Sequence, residues 1–398
     1  MNYDFTSIID RNNMDALAVD VIPYQGAVVS AEFDRIPMWV ADMNFPVLPT
    51  IQEAMIERAG HPAFGYFNTR QEYYDRIIEW QKERNGVSRL TAECIGYENG
   101  VLGGVASAVH TFTIAGDAVL LHAPTYIGFT HVMEDTGRKS VLSHLVLDSD
   151  GIWRMDYEDM DRKLKEHKIH LAIFCSPHNP TGRVWEQSEI ERAMEIYRQN
   201  DCIVISDEIW SDLTLEGYRH IPVQSISEDA RNRTIALYAP SKTFNLAGLT
   251  GSYHIIYNQH LRDRIRRTEA STYYNSMNVL SQHALLGAYR PEGMVWVDEL
   301  RQVLTDNVDY AYCYIKEHFK GISLSRPQAT YLLYLDCQEW CTAHRQTVDD
   351  LLLAGIRVGV IWQDGRPFNR PDTIRMNLAL PKSRVAEVMR RLKEYVFI

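Results

Sequence analysis

The sequence predicts an α/β fold, a three-layer sandwich with a mostly parallel central sheet, followed by a smaller α+β domain. The chain has 398 residues, roughly two to three times the usual size of one domain. Apolar runs of strand length alternate with helix-length amphipathic segments, and this pattern changes after about residue 290. We therefore expect an N-terminal segment (1–45) that packs on the small domain, a large domain (46–290) and a C-terminal small domain (291–398).

In the large domain, five apolar runs have the length of buried strands, and helix-compatible segments such as Gln187–Asn200 separate the first four. The runs are Ala118–His122, Ile169–Cys175, Cys202–Ser206, Thr234–Ala239 and Ser252–Tyr257. Continuously apolar strands that alternate with helices are typical of a sheet covered on both faces. The small domain shows a helix at each end, with strands and a further helix between them: Trp296–Lys320, Ala329–Asp336, Arg357–Ile361, Thr373–Leu380 and Ser383–Tyr395.

Composition argues against several classes of protein. The chain has 41 Lys plus Arg against 52 Asp plus Glu, a net charge of −11, whereas duplex binding needs many phosphate-neutralising cations. No apolar stretch approaches the roughly 20 residues that span a bilayer, and the N-terminus does not read as a signal peptide. We expect a cytoplasmic protein with neither a nucleic-acid nor a membrane partner. The six cysteines lack zinc-ligand spacing, so no metal site is predicted.

Three polar side chains follow successive predicted strands. Asn179, Asp207 and Lys242 each come shortly after a strand, and about one strand–helix–strand unit separates each from the next. Ligands of open α/β sheets bind outside the carboxyl ends of the strands. An amide, a carboxylate and an amine are therefore expected together at one edge of the sheet.

This combination predicts pyridoxal 5′-phosphate (PLP) as the cofactor. A lysine amine forms a Schiff base with a carbonyl, an aspartate can keep the pyridine nitrogen protonated, and an asparagine amide can donate to the phenolate oxygen. The glycine-rich stretch 99–104, ahead of a predicted helix at Val105–Phe112, offers a phosphate cradle, and Tyr126 could stack on the ring. Each piece alone also fits a turn, a cap, a solvated side chain or a core residue; their order and spacing favour the cofactor site.

The chain resembles fold-type I PLP enzymes of the aminotransferase class I/II superfamily, and within it most of all the bacterial cystathionine β-lyase (C–S lyase) branch. The resemblance runs from about Asp34 to the C-terminus. The matching segments are Met38–Pro46, Phe64–Tyr66, Pro124–Phe129, Ser176–Trp185, Ser206–Leu213, Ala239–Leu249 and Ala329–Asp336. It implies a PLP-dependent transferase-like fold.

The resemblance also implies a role for each matching residue. Lys242 would form the Schiff base and act as catalytic acid and base, and Asp207 would pair with the pyridine nitrogen. The other implied residues are Asn179 at the phenolate oxygen and the substrate, Tyr126 on the ring as a further catalytic group, Val101, Leu102 and Ser241 at the phosphate, and Arg375 on the substrate α-carboxylate. Tyr66 resembles a tyrosine that reaches the partner subunit's phosphate, which implies a homodimer with a shared active site.

Five features depart from the family pattern, and the first is the N-terminal stretch 12–20, which lacks the family's usual motif. Trp210 stands at a cofactor-contacting position where this branch usually has histidine and many aminotransferases have tyrosine, and indole cannot titrate. Thr250 stands where many aminotransferases place a phosphate-binding arginine. Asn44 and the segment Ile361–Arg370 also differ, near the family's substrate mouth. These last two departures concern the identity of the substrate more than the class of chemistry.

The resulting prediction is a C–S β-lyase that eliminates a thiol from a sulfur-containing L-amino acid to give pyruvate and ammonia. The alternative is an aminotransferase acting on an L-amino acid and a 2-oxo acid, because the same residues serve both reactions. A third hypothesis is a non-catalytic regulator or binding protein built on this fold, since fold alone does not fix function.

Overall fold

The computed structural model describes residues 1–273 and 275–398. Its strands are β1 (Ile36–Met38), β2 (Ile95–Glu98), β3 (Ala118–Ala123), β4 (Lys139–His144), β5 (Val146–Leu147), β6 (Trp153–Arg154), β7 (Leu171–Cys175), β8 (Ile203–Asp207), β9 (Thr234–Tyr238), β10 (Ser252–Ile255), β11 (Leu332–Asp336), β12 (Val360–Asp364) and β13 (Thr373–Asn377).

The helices are α1 (Leu17–Asp20), α2 (Pro49–Ala59), α3 (Gln71–Asn85), α4 (Val101–Phe112), α5 (Ile127–Asp135), α6 (Tyr157–Glu166), α7 (Gln187–Gln199), α8 (Glu228–Arg233), α9 (Pro240–Thr243), α10 (Gln259–Thr272), α11 (Val279–Ala288), α12 (Pro291–His318), α13 (Gln338–His344), α14 (Val348–Arg357) and α15 (Lys382–Tyr395). None of them is long and apolar enough to cross a membrane.

The central sheet has the strand order β2–β10–β9–β8–β7–β3–β4. Strand β10 runs antiparallel to both neighbours, and the other adjacent pairs are parallel. Neighbouring residues along the central strands belong to different core clusters. Ile173 and Ile205 pack with apolar residues of α4, α5 and α10, whereas Phe174 and Val204 pack with α6 and α7. Because side chains alternate across a strand, helices cover both faces, and the predicted three-layer fold is confirmed.

The direction in which successive strands are added to this sheet reverses between the parallel neighbours β3 and β7. From β3 the chain continues to β4 on one side, and from β7 it continues to β8 and β9 on the other. The loops after β3 and β7 therefore diverge and leave a crevice at the carboxyl ends of the strands, the usual ligand position in such sheets.

A second sheet, of order β1–β12–β13–β11, belongs to the C-terminal part of the chain. Its edge strand β1 comes from the N-terminal segment and pairs in parallel with β12, with Ile36 opposite Val360. Phe5 packs on Trp296 of α12, with ring centroids 5.5 Å apart. The N-terminal segment thus contacts this sheet and α12, while the exact division at residues 45 and 290 stays a prediction.

The start of α4 differs from the sequence prediction. The helix begins at Val101, not at Val105, because Gly100 makes the turn with φ +79° and the two following glycines lie inside the first turn. A Cβ atom on Gly104 would lie 2.7 Å from Leu237 Cδ2, so glycine is needed there for α4 to pack closely on the sheet. The sequence predicts a glycine-rich turn that cradles a phosphate ahead of the helix, whereas Gly104 lies within the helix and serves helix–sheet packing.

Candidate active site

A cavity of about 460 Å³ occupies the crevice at the carboxyl ends of β3, β7, β8 and β9. It contains nearly all of the predicted site residues, namely Val101, Leu102, Tyr126, Asn179, Asp207, Trp210, Ser241, Lys242 and Arg375. Tyr66 is fully exposed and does not line it. Two larger clefts, of about 580 and 520 Å³, lie elsewhere and contain neither Lys242 nor Asp207.

Lys242 lies in α9, which begins two residues after β9 ends, so the strand end fixes its position. Its Nζ donates a hydrogen bond to the carbonyl oxygen of Ala41 at 2.8 Å and lies 5.8 Å from the centre of the Trp210 ring. Burial lowers the pKa of Lys242 to about 8; the charge of Arg375 adds to this shift, and Asp207 opposes it. A buried amine with this pKa has a larger neutral, nucleophilic fraction near neutral pH than an ordinary lysine.

Asp207 is the last residue of β8 and is almost completely buried. Its Oδ1 accepts a hydrogen bond from the amide of Ile209 at 3.1 Å. Burial raises the pKa of Asp207 to about 7, against the opposing effect of Lys242. A desolvated carboxylate of this kind is stabilised by a cation, which the protonated nitrogen of a pyridine ring would supply.

Arg375 lies on β13 and reaches the cavity from the small sheet. Its Nη1 donates to Asn179 Oδ1 at 3.2 Å and its Nη2 donates to the carbonyl oxygen of Trp39 at 3.0 Å. The guanidinium stacks over the Phe368 ring at 4.6 Å, and its buried Nε has no hydrogen-bond partner in the described ranges. Burial lowers the pKa of Arg375 to about 10, so the group stays charged at neutral pH. A fixed guanidinium held by neutral acceptors suits a carboxylate ligand.

The first turn of α4 offers the phosphate position. The intrahelical hydrogen bonds begin with Gly104 N donating to Gly100 O at 3.1 Å, so the amides of Val101 and Leu102 precede the ladder, as at any helix N-terminus. Such amides, together with the helix dipole, bind anions. Ser241 lines the same cavity and offers a hydroxyl.

Tyr126 is placed by the residue that follows it in α5. A Cβ atom on Gly128 would lie 2.6 Å from Tyr126 Cε1, so glycine leaves the space that the ring occupies. The ring packs edge-on against Phe129, with centroids 5.3 Å apart. Burial raises the pKa of Tyr126, which keeps its hydroxyl protonated and suits the ring to stacking.

Trp210 forms the buried floor near Lys242. Its ring packs edge-on against Tyr331, with centroids 4.8 Å apart, and the Tyr331 hydroxyl donates to Ala41 O at 3.0 Å. Lys242 and Tyr331 therefore share one acceptor. The sequence assigns no role to Tyr331 or Ala41. The atom of Ala41 that faces Lys242 is its main-chain oxygen, which no residue type reveals, although the segment Met38–Pro46 that contains it matches the family pattern.

The residues present fit PLP. The cavity provides an amine for the aldehyde, an uncompensated buried carboxylate for the ring nitrogen, an aromatic ring to stack, and a helix N-terminus for the phosphate. Arg375 lines the same cavity, and its buried Nε has no hydrogen-bond partner among the described residues. These features are complementary to the aldehyde, ring and phosphate of the cofactor and to the carboxylate of an amino acid.

Comparison with known proteins agrees with this geometry. The family model for aminotransferase class I and II matches residues 36–392. Cystathionine beta-lyase PatB of Bacillus subtilis (strain 168) is 32% identical over 362 residues, covering 90% of this chain and 92% of that protein. Among solved structures, cystalysin from Treponema denticola, which contains a pyridoxal 5′-phosphate cofactor, is 29% identical with a TM-score of 0.91, covering 99% of this chain and 98% of that one.

A second solved structure is similar to the same extent. The PLP-bound C-S lyase from Staphylococcus hominis is 29% identical with a TM-score of 0.90, covering 100% of this chain and 99% of that one. The family model spans most of the chain, and the similarity to PatB extends over nearly the full length of both proteins. The chain therefore belongs to the aminotransferase class I and II family.

Proposed function

We propose that this protein is a PLP-dependent C–S β-lyase, which eliminates a thiol from a sulfur-containing L-amino acid. The observation that carries the proposal is the grouping of Lys242, Asp207 and Arg375 around one cavity. The choice of elimination is supported by the relatives named cystathionine beta-lyase and C-S lyase.

Each residue has a distinct task. When bound, PLP would supply an electron sink that makes the α-proton of the amino acid acidic. Arg375 would hold the α-carboxylate, and Asn179, which accepts from Arg375, would keep the guanidinium in place. The neutral amine of Lys242 would take the α-proton, and the ammonium so formed would return a proton to the departing sulfur. Asp207 would stay ionised beside the ring nitrogen.

The reaction balances with water alone. The C–S bond at the β-carbon breaks with its electron pair on sulfur, which leaves as the thiol. The remaining three-carbon enamine tautomerises and hydrolyses, giving pyruvate and ammonia. No external oxidant or reductant is required.

The active unit proposed here is a homodimer in the cytoplasm. Tyr66 is fully exposed, and Phe64 and Phe67 beside it are also exposed; clustered exposed aromatic side chains often mark an interaction surface. Six free cysteines, of which all except Cys313 are buried, are typical of a reducing compartment. The proposed dimer would bring Tyr66 to the phosphate of the partner subunit.

Transamination is the second candidate, because every residue above also serves it and Trp210 is unusual for the lyase branch. The deciding experiment mixes the PLP-loaded protein with a panel of L-amino acids, including L-cystathionine, and follows pyruvate and the cofactor absorbance together. Catalytic pyruvate with a recovered starting spectrum is expected. Conversion of the cofactor to its amine form, reversed by a 2-oxo acid, would instead establish an aminotransferase. Absence of both reactions, and of α-proton exchange, would favour the non-catalytic hypothesis.

A further inference from the structure

The cavity around Lys242 contains few charged side chains. Among the described residues that line it, the charged ones are Asp207, Lys242 and Arg375. The proposed function uses all three, for the ring nitrogen, the α-proton and the α-carboxylate. Within the described lining, no charged group remains to balance a charge on the side chain of the substrate.

Gln363 is the polar residue placed next to Arg375 in the small sheet. The two residues are directly opposite each other in the antiparallel pair β12–β13, so their side chains share one face with Cβ atoms roughly 4.5–5.5 Å apart. Gln363 is half-buried and lines the same cavity. Its Nε2 donates a long hydrogen bond, 3.3 Å, to the carbonyl oxygen of Asp364, and a bond of this length is easily exchanged for a ligand contact.

Apolar side chains line the same cavity as this amide. They include Leu17, Trp39, Val40 and Ile127. Trp39 is fixed by a hydrogen bond from its Nε1 to the carbonyl oxygen of Ala18, 3.0 Å long, so the N-terminal segment helps to build the wall. A carboxylate placed here would lose its water and gain no counter-charge, which is costly, whereas a neutral amide or thioether would not suffer this loss.

We propose that Gln363 determines side-chain specificity: it selects amino acids whose side chain carries no net charge, by hydrogen bonding to a polar atom beyond the sulfur. This inference rests on the proposed function, because it takes Arg375 as the α-carboxylate site. It assigns a role to the segment Ile361–Arg370, whose sequence departs from the family pattern. The substrate class is then the S-substituted L-cysteines with neutral substituents.

The test uses two substrates of nearly equal shape, S-carbamoylmethyl-L-cysteine and S-carboxymethyl-L-cysteine, and measures kcat/KM from pyruvate release by the PLP-loaded protein. The neutral substrate is expected to be preferred by about 30-fold or more. Gln363→Arg supplies the missing cation and should shift this ratio at least about 10-fold toward the carboxylate. Because the difference between the two leaving thiols is the same for both proteins, the shift reports the side-chain contact.

Two further variants separate a specific contact from a general defect. Gln363→Leu should lower kcat/KM for the carbamoylmethyl substrate relative to S-methyl-L-cysteine by about 10-fold, the loss of one hydrogen bond. Gln338→Leu, a change at an exposed glutamine on α13, should leave every ratio as in the wild type. The proposal is overturned if the wild-type kcat/KM for the carboxymethyl substrate equals or exceeds that for the carbamoylmethyl substrate. This holds even if a cation of the partner subunit causes that result. Unchanged ratios in both Gln363 variants would also overturn it.

A binding measurement keeps this test separate from the test of elimination. The change in cofactor absorbance gives apparent dissociation constants for L-glutamine and L-glutamate, which have no β-leaving group. L-glutamine should bind at least about 10-fold more tightly, and Gln363→Arg should reduce or reverse this preference. If pyruvate never forms but this preference holds, the lyase proposal fails and the specificity proposal stands. If pyruvate forms but L-glutamate binds as well as L-glutamine, the specificity proposal fails alone.

Discussion

At the scale of single residues, the site depends on a few buried side chains whose hydrogen bonds end on the main chain. Lys242 and Arg375 donate to the carbonyl oxygens of Ala41 and Trp39, both in the segment just before α2. The side chains of Lys242, Asp207 and Asn179 could be placed from their order after successive strands. The two carbonyl acceptors could not, because every residue has a carbonyl group and only the folded chain shows which ones face the cavity.

Replacement of Lys242 provides the first prediction. Lys242→Ala removes the amine proposed to bind PLP covalently and to move the α-proton, so the yellow colour of the loaded protein should disappear and kcat should fall by at least about 10⁴-fold. Absorbance spectra and pyruvate release measure both effects. Lys320→Ala, at an exposed lysine after α12, is the matched control. Retention of colour or turnover by Lys242→Ala would remove Lys242 from its role.

Replacement of Arg375 tests the carboxylate site. Arg375→Lys keeps the positive charge but loses the fork of donors that matches a carboxylate. We expect kcat/KM to fall by about 10- to 100-fold, mainly through KM, because the α-carboxylate is bound in the ground state and in the transition state alike. Arg345→Lys, at an exposed position after α13, should behave as the wild type. A fall confined to kcat would contradict α-carboxylate binding by Arg375.

At the scale of elements, the antiparallel edge of the central sheet contains a buried cluster of titratable groups. Glu98 ends β2, His254 lies opposite Gly96 on β10, and Glu269 lies on α10. Glu98 Oε1 and His254 Nδ1 are 2.7 Å apart. A Cβ atom on Gly96 would lie 2.3 Å from the imidazole, so glycine makes room for the ring. The cluster lies next to the turn that starts α4, and it thus links the sheet edge to the proposed phosphate position.

Protonation of this cluster should affect stability. Burial raises the pKa of Glu98 to about 7, and burial together with Glu98 raises the pKa of Glu269 to about 8. Because both folded values exceed those of the unfolded chain, the stabilisation by the protonated cluster is complete below about pH 4.5. It falls as the pH rises above 4.5 and is lost once the pH passes the folded pKa values of about 7 and 8. Burial lowers the pKa of His254 to about 4. Above about pH 6.5 its imidazole is neutral in the folded and the unfolded chain, so His254 adds no pH dependence to the stability there.

Glu98→Gln keeps the shape of the side chain and removes one titrating group. Between about pH 4.5 and 8, the free energy of unfolding of the wild type should therefore decline more steeply than that of the variant. At pH 9 the variant should be the more stable of the two, by about 1–3 kcal/mol. Urea unfolding at several pH values measures both curves. Glu394→Gln, at an exposed glutamate on α15, serves as the control, and parallel curves for Glu98→Gln and the wild type would show that Glu98 does not titrate in this range.

At the scale of the whole molecule, hydrophobic patterning predicts the sandwich, its apolar strands along the chain and a C-terminal α+β unit. It did not identify β2 and β4, whose sequences IGYE and KSVLSH mix polar and apolar residues because both strands lie at edges of the sheet. It also gave no strand for Ile36–Met38, which is too short to show a period and is fixed by its partner β12. Elements marked by a continuous apolar run or a helical period are thus accessible from sequence, and those determined by a distant partner are not.

In the proposed homodimer, the two subunits would share their active sites. If Tyr66 serves the site of the other subunit, Lys242→Ala and Tyr66→Ala are each defective alone, but a mixed dimer has one native site: the site in the Tyr66→Ala chain has its own Lys242 and receives Tyr66 from its partner. Random pairing of the two variants on co-expression makes about half of the dimers mixed, so about a quarter of all sites would be native. Pyruvate release is therefore expected at about a quarter of the wild-type rate per site from the unseparated mixture, and at about half of that rate from mixed dimers purified through two different tags. If Tyr66 served its own chain, no site in the mixed dimer would contain both residues, and the activity would stay at the level of the separate variants.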